Sequence, residues 1–93
     1  MFLLCNHTFK ESLYFIIFYL PPLYSMVFWV NMAAPVRIES AKMDGSNRKA
    51  IIEKNLGTPS DLTVDTSKDL LFWSDLDLKQ IETSDLDGNQ RKN

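Results

Sequence analysis

The chain has 93 residues, with 10 Lys and Arg against 12 Asp and Glu, and a net charge of −2. That length allows one small domain at most, and the absence of a basic stripe argues against a nucleic-acid partner. One cysteine, Cys5, closes no internal disulfide and builds no Cys-based metal site, and one histidine, His7, excludes a His cluster.

The average composition hides two unlike parts. Residues 1–36 hold one Lys (Lys10), one Glu (Glu11) and most of the aromatic residues, and the balance changes near Pro35. Leu13 to Val30 is 18 residues without a charge, long enough for a membrane span. Its first part, "LYFIIFYL" after Lys10, also suits the core of a signal peptide. Pro21-Pro22 speaks against one straight helix. Residues 1–24 are therefore expected to be a hydrophobic leader or a segment foreign to the fold, and 25–93 the folded unit. Asn6-His7-Thr8 is a glycosylation sequon that matters only if this end is extracellular.

From Tyr24 onward the pattern is that of short strands. "YSMVFWVN" (Tyr24 to Asn31) and "RIESAKM" (Arg37 to Met43) are strand candidates, followed by a tight turn at Asp44-Gly45. "RKAIIEK" (Arg48 to Lys54) continues as a strand with Ala50 and Ile52 on one face and Ile51 on the other. "PSDLTVD" (Pro59 to Asp65) alternates Leu62 and Val64 with polar residues, and "DTSKD" (Asp65 to Asp69) is its turn. "DLLFWSD" (Asp69 to Asp75) is an apolar run bounded by acids; "KQIETSDL" (Lys79 to Leu86) and a turn at Asp87-Gly88 follow.

These elements come round twice. "RIESAKMDGSNRK" from Arg37 and "QIETSDLDGNQRK" from Gln80 agree at six of thirteen positions, 43 residues apart. Aromatic strands with a period of two and a repeat of this length point to blades of a β-propeller. Alternation fails once per unit: Ile38 and Met43, like Ile81 and Leu86, stand an odd number of positions apart. A bulge or a strand end is expected between them.

The repeated unit resembles the class B repeat of low-density lipoprotein receptors, named for a Tyr-Trp-Thr-Asp (YWTD) motif. Phe72-Trp73-Ser74-Asp75 occupies the motif, as Phe28-Trp29-Val30-Asn31 does more loosely. Arg37-Ile38-Glu39-Ser40 and Gln80-Ile81-Glu82-Thr83 follow it, then Asp44-Gly45 with Arg48 and Asp87-Gly88 with Arg91. Leu56, Pro59, Leu62 and Asp65 have the spacing of the family's inter-repeat linker. The resemblance covers about residues 26–92 and implies an all-β fold, a fragment of a six-bladed YWTD β-propeller with about one and a half blades, three strands of one blade and three of the next. It further implies that the motif carboxylate and the arginine after Asp-Gly tie blades together, so that Asp75 and Arg48 are architecture. Asn31 in place of aspartate weakens that expectation in the first unit.

Within the family the second unit is most similar to the last propeller of the Wnt co-receptors, the arrow-like lipoprotein-receptor-related proteins. The resemblance then implies a non-catalytic binding module on the extracellular side of a membrane-anchored receptor, with Wnt proteins or their secreted antagonists as partners and no cofactor. Met32, Ala33, Thr58 and Asp77 are the residues placed on ligand-facing loops. Endocytic lipoprotein receptors and nidogen-type matrix proteins share the same repeat grammar and form the alternative. So short a piece is expected to belong to a longer polypeptide, because a repeat cannot bury its apolar face alone.

Catalysis and metal binding have thin support in the residues. Asp75, Asp77, Asp85 and Asp87 are carboxylates near one another in sequence, but "DLDGN" (Asp85 to Asn89) puts its glycine at the fourth position where a calcium loop needs the sixth. No helix follows either Asp-Gly turn to cradle a phosphate. The acids read as turn formers.

Overall fold

The computed structural model describes residues 25–93 in full and the backbone of residues 13–19. The sequon, Cys5, His7 and Pro21-Pro22 lie outside the described residues. Among the described residues seven strands form two antiparallel sheets. The first runs β1 (Leu13–Tyr19), β2 (Met26–Asn31), β3 (Arg37–Lys42), β4 (Lys49–Ile52); the second runs β5 (Pro59–Asp65), β6 (Leu70–Asp75), β7 (Gln80–Asp85). Within each sheet every strand neighbours the next in the chain, which is the meander of a propeller blade.

Three features go beyond what the sequence announces, and the last corrects it. A strand at Leu13–Tyr19 is one that alternation did not announce, and it completes four strands in the first sheet. The second concerns its register. Leu13 pairs with Asn31 and Ile16 with Trp29; in the second sheet Pro59 pairs with Asp75 and Leu62 with Trp73. Both ladders slip at the same place, just after Leu13 and just after Pro59. β1 thus sits in the first sheet where β5 sits in the second, and the described part of the apolar stretch from Leu13 to Val30 lies in the strands Leu13–Tyr19 and Met26–Asn31. Among the described residues no helix is long and apolar enough to cross a membrane.

The third is in β4. Ile38 pairs with Ile52 while Glu39 pairs with Ala50, so Ile51 is the extra residue of a bulge. Ala50 and Ile52 therefore lie on opposite faces; Ile52 joins the core beside Ile38, and half-buried Ile51 packs against it. The broken alternation after Ile38 and after Ile81 comes from strand ends: β3 stops at Lys42 before Met43, and β7 at Asp85 before Leu86.

The core lies between the two sheets. Phe28, Val30, Ile38 and Ile52 of the first meet Leu62, Leu71 and Trp73 of the second. Met32 and Val36, in the β2–β3 loop, and Leu56, in the connector from β4 to β5, pack on the same cluster. Phe28 and Trp29 point to opposite faces because neighbours on a strand alternate. One motif aromatic thus meets the following sheet, and the other faces away from it. Trp73, by the same alternation, faces back onto the first sheet.

The Asp-Gly turns match in backbone but not in surroundings. Gly45 and Gly88 have φ of +90° and +88°, a region costly for residues with a Cβ. Asp44 Oδ1 accepts the Ser46 N–H and hydroxyl, and Asp85 Oδ1 accepts the N–H groups of Asp87 and Asn89. A Cβ on Gly45 would meet open space, whereas one on Gly88 would stand 2.1 Å from the Ile51 carbonyl oxygen. Gly45→Ala is expected to cost about 1 kcal/mol, the left-handed penalty alone. Gly88→Ala should cost clearly more, because the Ile51 backbone has to move away; urea unfolding of the two variants side by side checks the order.

Candidate functional site

The motif strands β2 and β6 finish at one end of the sheets, and the connector enters β5 at that end. Asp75, the last residue of β6, is 2% exposed. Its Oδ2 accepts the Gly57 N–H at 2.7 Å; its Oδ1 accepts those of Thr58, Leu78 and Asp77 at 2.9, 3.0 and 3.1 Å. Burial raises the Asp75 pKa, but the four N–H groups together prevail and hold it below the usual 3.8. One carboxylate thus ties the β6–β7 turn to the connector. Gly57 must lack a side chain, since a Cβ there would come within 2.6 Å of the Asp77 Cβ and 2.8 Å of Asp75 Oδ1.

Asn31 holds the matching place at the end of β2. It accepts the Ala33 N–H at 3.0 Å, the counterpart of the Asp77 bond. Cross-strand from each motif tryptophan stands a buried glutamate: Glu39 opposite Trp29 and Glu82 opposite Trp73. An arginine closes each group. Arg48 lies over Trp29 and Arg91 over Trp73, each 5.5 Å from the ring centroid, close enough for a cation–π attraction. Arg48 bonds Glu39 Oε1 through Nε and Nη2, and Arg37 bonds Glu39 Oε2.

Arg91 goes further. It bonds both oxygens of Glu82 and also donates to the Lys54 and Asn55 carbonyls at 2.6 and 2.8 Å. Its hydrogen bonds are the leading reason that Glu82 stays below the usual 4.5; burial opposes them, while Gln80 and the Arg91 charge add to them. Arg91 is the residue that joins one sheet to the exit of the other. Among the described residues Arg48, expected in that role, bonds within its own sheet, and its side chain is 60% exposed against 23% for Arg91. The sequence motif is the same; among the described residues the Lys54–Asn55 connector lies within reach of Arg91.

The structure places the four predicted loop residues at the end where β2 and β6 finish. Ala33 and Asp77 are exposed, and Met32 and Thr58 are half-buried. Thr58 and Asp77 are joined by a hydrogen bond from Thr58 Oγ1 to Asp77 Oδ2 at 2.8 Å. Met32 packs toward the core. Leu76 and Leu78, which the sequence reading passed over, are 61% and 43% exposed beside Asp77. No group of three or more His, Cys, Asp or Glu among the described residues is placed to hold a metal ion.

Residues 25–66 match the family model "Low-density lipoprotein receptor repeat class B". Low-density lipoprotein receptor-related protein 5 of Mus musculus is 44% identical over 55 residues, 59% of this chain and 3% of that protein. Nidogen-2 of Mus musculus is 37% identical over 67 residues, 72% of this chain and 5% of that protein. In the crystal structure of a nidogen/laminin complex one chain superposes with a TM-score of 0.65 at 35% identity, over 72% of this chain and 26% of that one. The chain thus spans a small part of the curated relatives it matches. Its two sheets are part of a YWTD β-propeller, and the chain belongs to the low-density lipoprotein receptor class B repeat family.

Proposed function

We propose that the chain is part of a non-catalytic, extracellular protein-binding module, in a membrane-anchored receptor of the Wnt co-receptor type. One observation carries the non-catalytic reading. The three buried carboxylates among the described residues, Asp75, Glu39 and Glu82, are all engaged by backbone N–H groups, guanidiniums or a side-chain amide. A carboxylate so engaged serves the frame and is a poor proton carrier. Similarity to low-density lipoprotein receptor-related protein 5 favours the receptor. Similarity to the chain in the nidogen/laminin complex favours a second reading, a matrix protein with a laminin-like partner.

Ligand contact is assigned to Met32, Ala33, Thr58 and Asp77 at the end of the sheets where the connector enters. Binding of the immobilised full chain to a Wnt protein, a secreted Wnt antagonist and laminin tests both readings. Saturable binding to the first or second, weakened at least tenfold by Asp77→Lys with an unchanged circular dichroism spectrum, is the expected result. Binding to laminin alone would move the assignment to the matrix protein. Binding to none, or binding that Asp77→Lys and Ala33→Glu leave unaltered, would overturn the site.

A further inference from the structure

The two Asp-Gly turns share one backbone and differ in the side chain that ties it. In the first, the Ser46 carbonyl accepts the Lys42 N–H and the Lys42 carbonyl accepts the Gly45 N–H; in the second, the Asn89 carbonyl accepts the Asp85 N–H and the Asp85 carbonyl the Gly88 N–H. Asp85 Oδ1 also takes the N–H groups of Asp87 and Asn89, at 2.9 and 2.8 Å, and so spans the Asp87-Gly88 peptide from outside it. Lys42 holds the place of Asp85 in the first turn, and its side chain has no acceptor to offer. There Asp44 supplies the acceptor itself: its own Oδ1 takes the Ser46 N–H at 2.9 Å and the Ser46 hydroxyl at 2.6 Å. Those bonds fold the Asp44 carboxyl over the peptide that follows it. The Asp87 carboxyl turns instead to Lys49 Nζ, at 3.2 Å. Both aspartates are exposed, Asp44 in the sheet that has a described neighbour after it and Asp87 in the sheet that has one before it. Exposure at this position thus belongs to the tip of the turn and not to an uncovered side of either sheet.

We propose that Asp44-Gly45 is a site of spontaneous covalent modification, at which aspartate converts to isoaspartate, and that Asp85 protects the matching peptide of the second turn. The Gly45 nitrogen attacks Asp44 Cγ. A bond from that nitrogen to Cγ closes a succinimide ring, and the nitrogen's proton leaves with the carboxyl's hydroxyl as one water. Water then adds back to either ring carbonyl. Opening at Cγ restores aspartate; opening at the main-chain carbonyl leaves the chain running through Cγ, which is isoaspartate. No oxidant or co-reactant enters. Glycine permits the attack, since no Cβ crowds its nitrogen. The nitrogen must first release the Lys42 carbonyl, and a single bond at an exposed hairpin tip opens at little cost. In the second turn the same opening has to break both bonds to Asp85 Oδ1 as well. It also has to move Gly88 off the Ile51 carbonyl, beside which a Cβ would stand 2.1 Å away. Isoaspartate lengthens the main chain by one methylene between β3 and β4, in the hairpin that carries Ile38 and Ile52 into the core.

Timed incubation of the full chain at neutral pH, followed by digestion and mass spectrometry, tests this. Electron-transfer fragmentation separates isoaspartate from aspartate of equal mass. The expected result is isoaspartate at Asp44 forming at least tenfold faster than at Asp87 in the folded chain, and at similar rates at the two sites in urea. Exchanging the residues that differ should exchange the behaviour. Asp85→Lys should speed Asp87 at least fivefold, and Lys42→Asp should slow Asp44 at least fivefold. Circular dichroism establishes that the variants fold; Lys42→Asp, at an exposed position, carries the test if Asp85→Lys does not. A folded chain in which Asp44 persists while the unfolded chain converts overturns the proposal. So does an Asp87 that converts as fast as Asp44, and so does a folded Lys42→Asp variant in which the Asp44 rate is unchanged.

Discussion

Replacing Asp75 by Asn should destabilise the fold by about 3–5 kcal/mol, the scale on which a buried charged group loses when its pairing is broken. The amide keeps one acceptor oxygen where the carboxylate has two, and it turns an NH2 toward N–H groups that already need acceptors. Gly57, Thr58, Asp77 and Leu78 all donate to this one side chain, so the β6–β7 turn and the connector loosen together. Asn31→Ala, at the matching place in the first unit, removes an acceptor for the Ala33 N–H and should cost about 1 kcal/mol. Urea denaturation of the two variants gives the comparison. A loss at Asp75 no larger than that at Asn31 would show that the four bonds are replaced by water.

The same carboxylate sets an acid limit. The native pKa of Asp75 is held below 3.8. A depressed acid contributes stability that is fully present above its unfolded pKa and is lost as pH falls through its folded one. Glu82, held below 4.5, acts in the same direction. Stability should therefore be level through neutral pH and fall below about pH 4, where unfolded aspartate and glutamate begin to take up protons. In Asp75→Asn the acid-side slope should be shallower, which denaturation midpoints measured from pH 7 to pH 2 would register.

Arg91→Ala is the second large effect. It leaves Glu82, 4% exposed, without its ion pair, removes two bonds to the connector carbonyls, and uncovers the Trp73 ring. An uncompensated buried charge costs about 3–5 kcal/mol. Arg48→Ala, at the same motif position, should cost about 1 kcal/mol or less. Arg48 is 60% exposed, and Glu39 keeps Arg37 as a partner. Equal losses at the two arginines in thermal unfolding would mean that the connector bonds of Arg91 contribute nothing.

Local pattern was enough for six of the seven strands. Alternating apolar residues, acids at strand ends and the Asp44-Gly45 and Asp87-Gly88 turns mark β2 to β7, because turn chemistry and strand pleating act over a few residues. The spacing of the repeat carried the family, since the blade motif returns in the same order. β1 was not legible: Leu13–Tyr19 is an unbroken apolar run, which a leader, a span and a strand share, and only pairing with β2 distinguishes them. The bulge at Ile51 was hidden in the same way, because β3 sets the register of β4 from outside it.

The motifs themselves, and so the blade architecture and the residues that build it, were determined by the sequence alone: Phe72, Trp73, Asp75, Pro59 and the paired Ile, Glu and Arg positions. The tertiary structure decided which member of each pair does what. Among the described residues Ile38 is in the core between the sheets and Ile81 is not; Arg91 joins the sheets and Arg48 bonds within its own; Asp75 gathers four donors and Asn31 accepts from Ala33. The reason is that burial and hydrogen-bond partners belong to the element that packs alongside, which a local motif does not write.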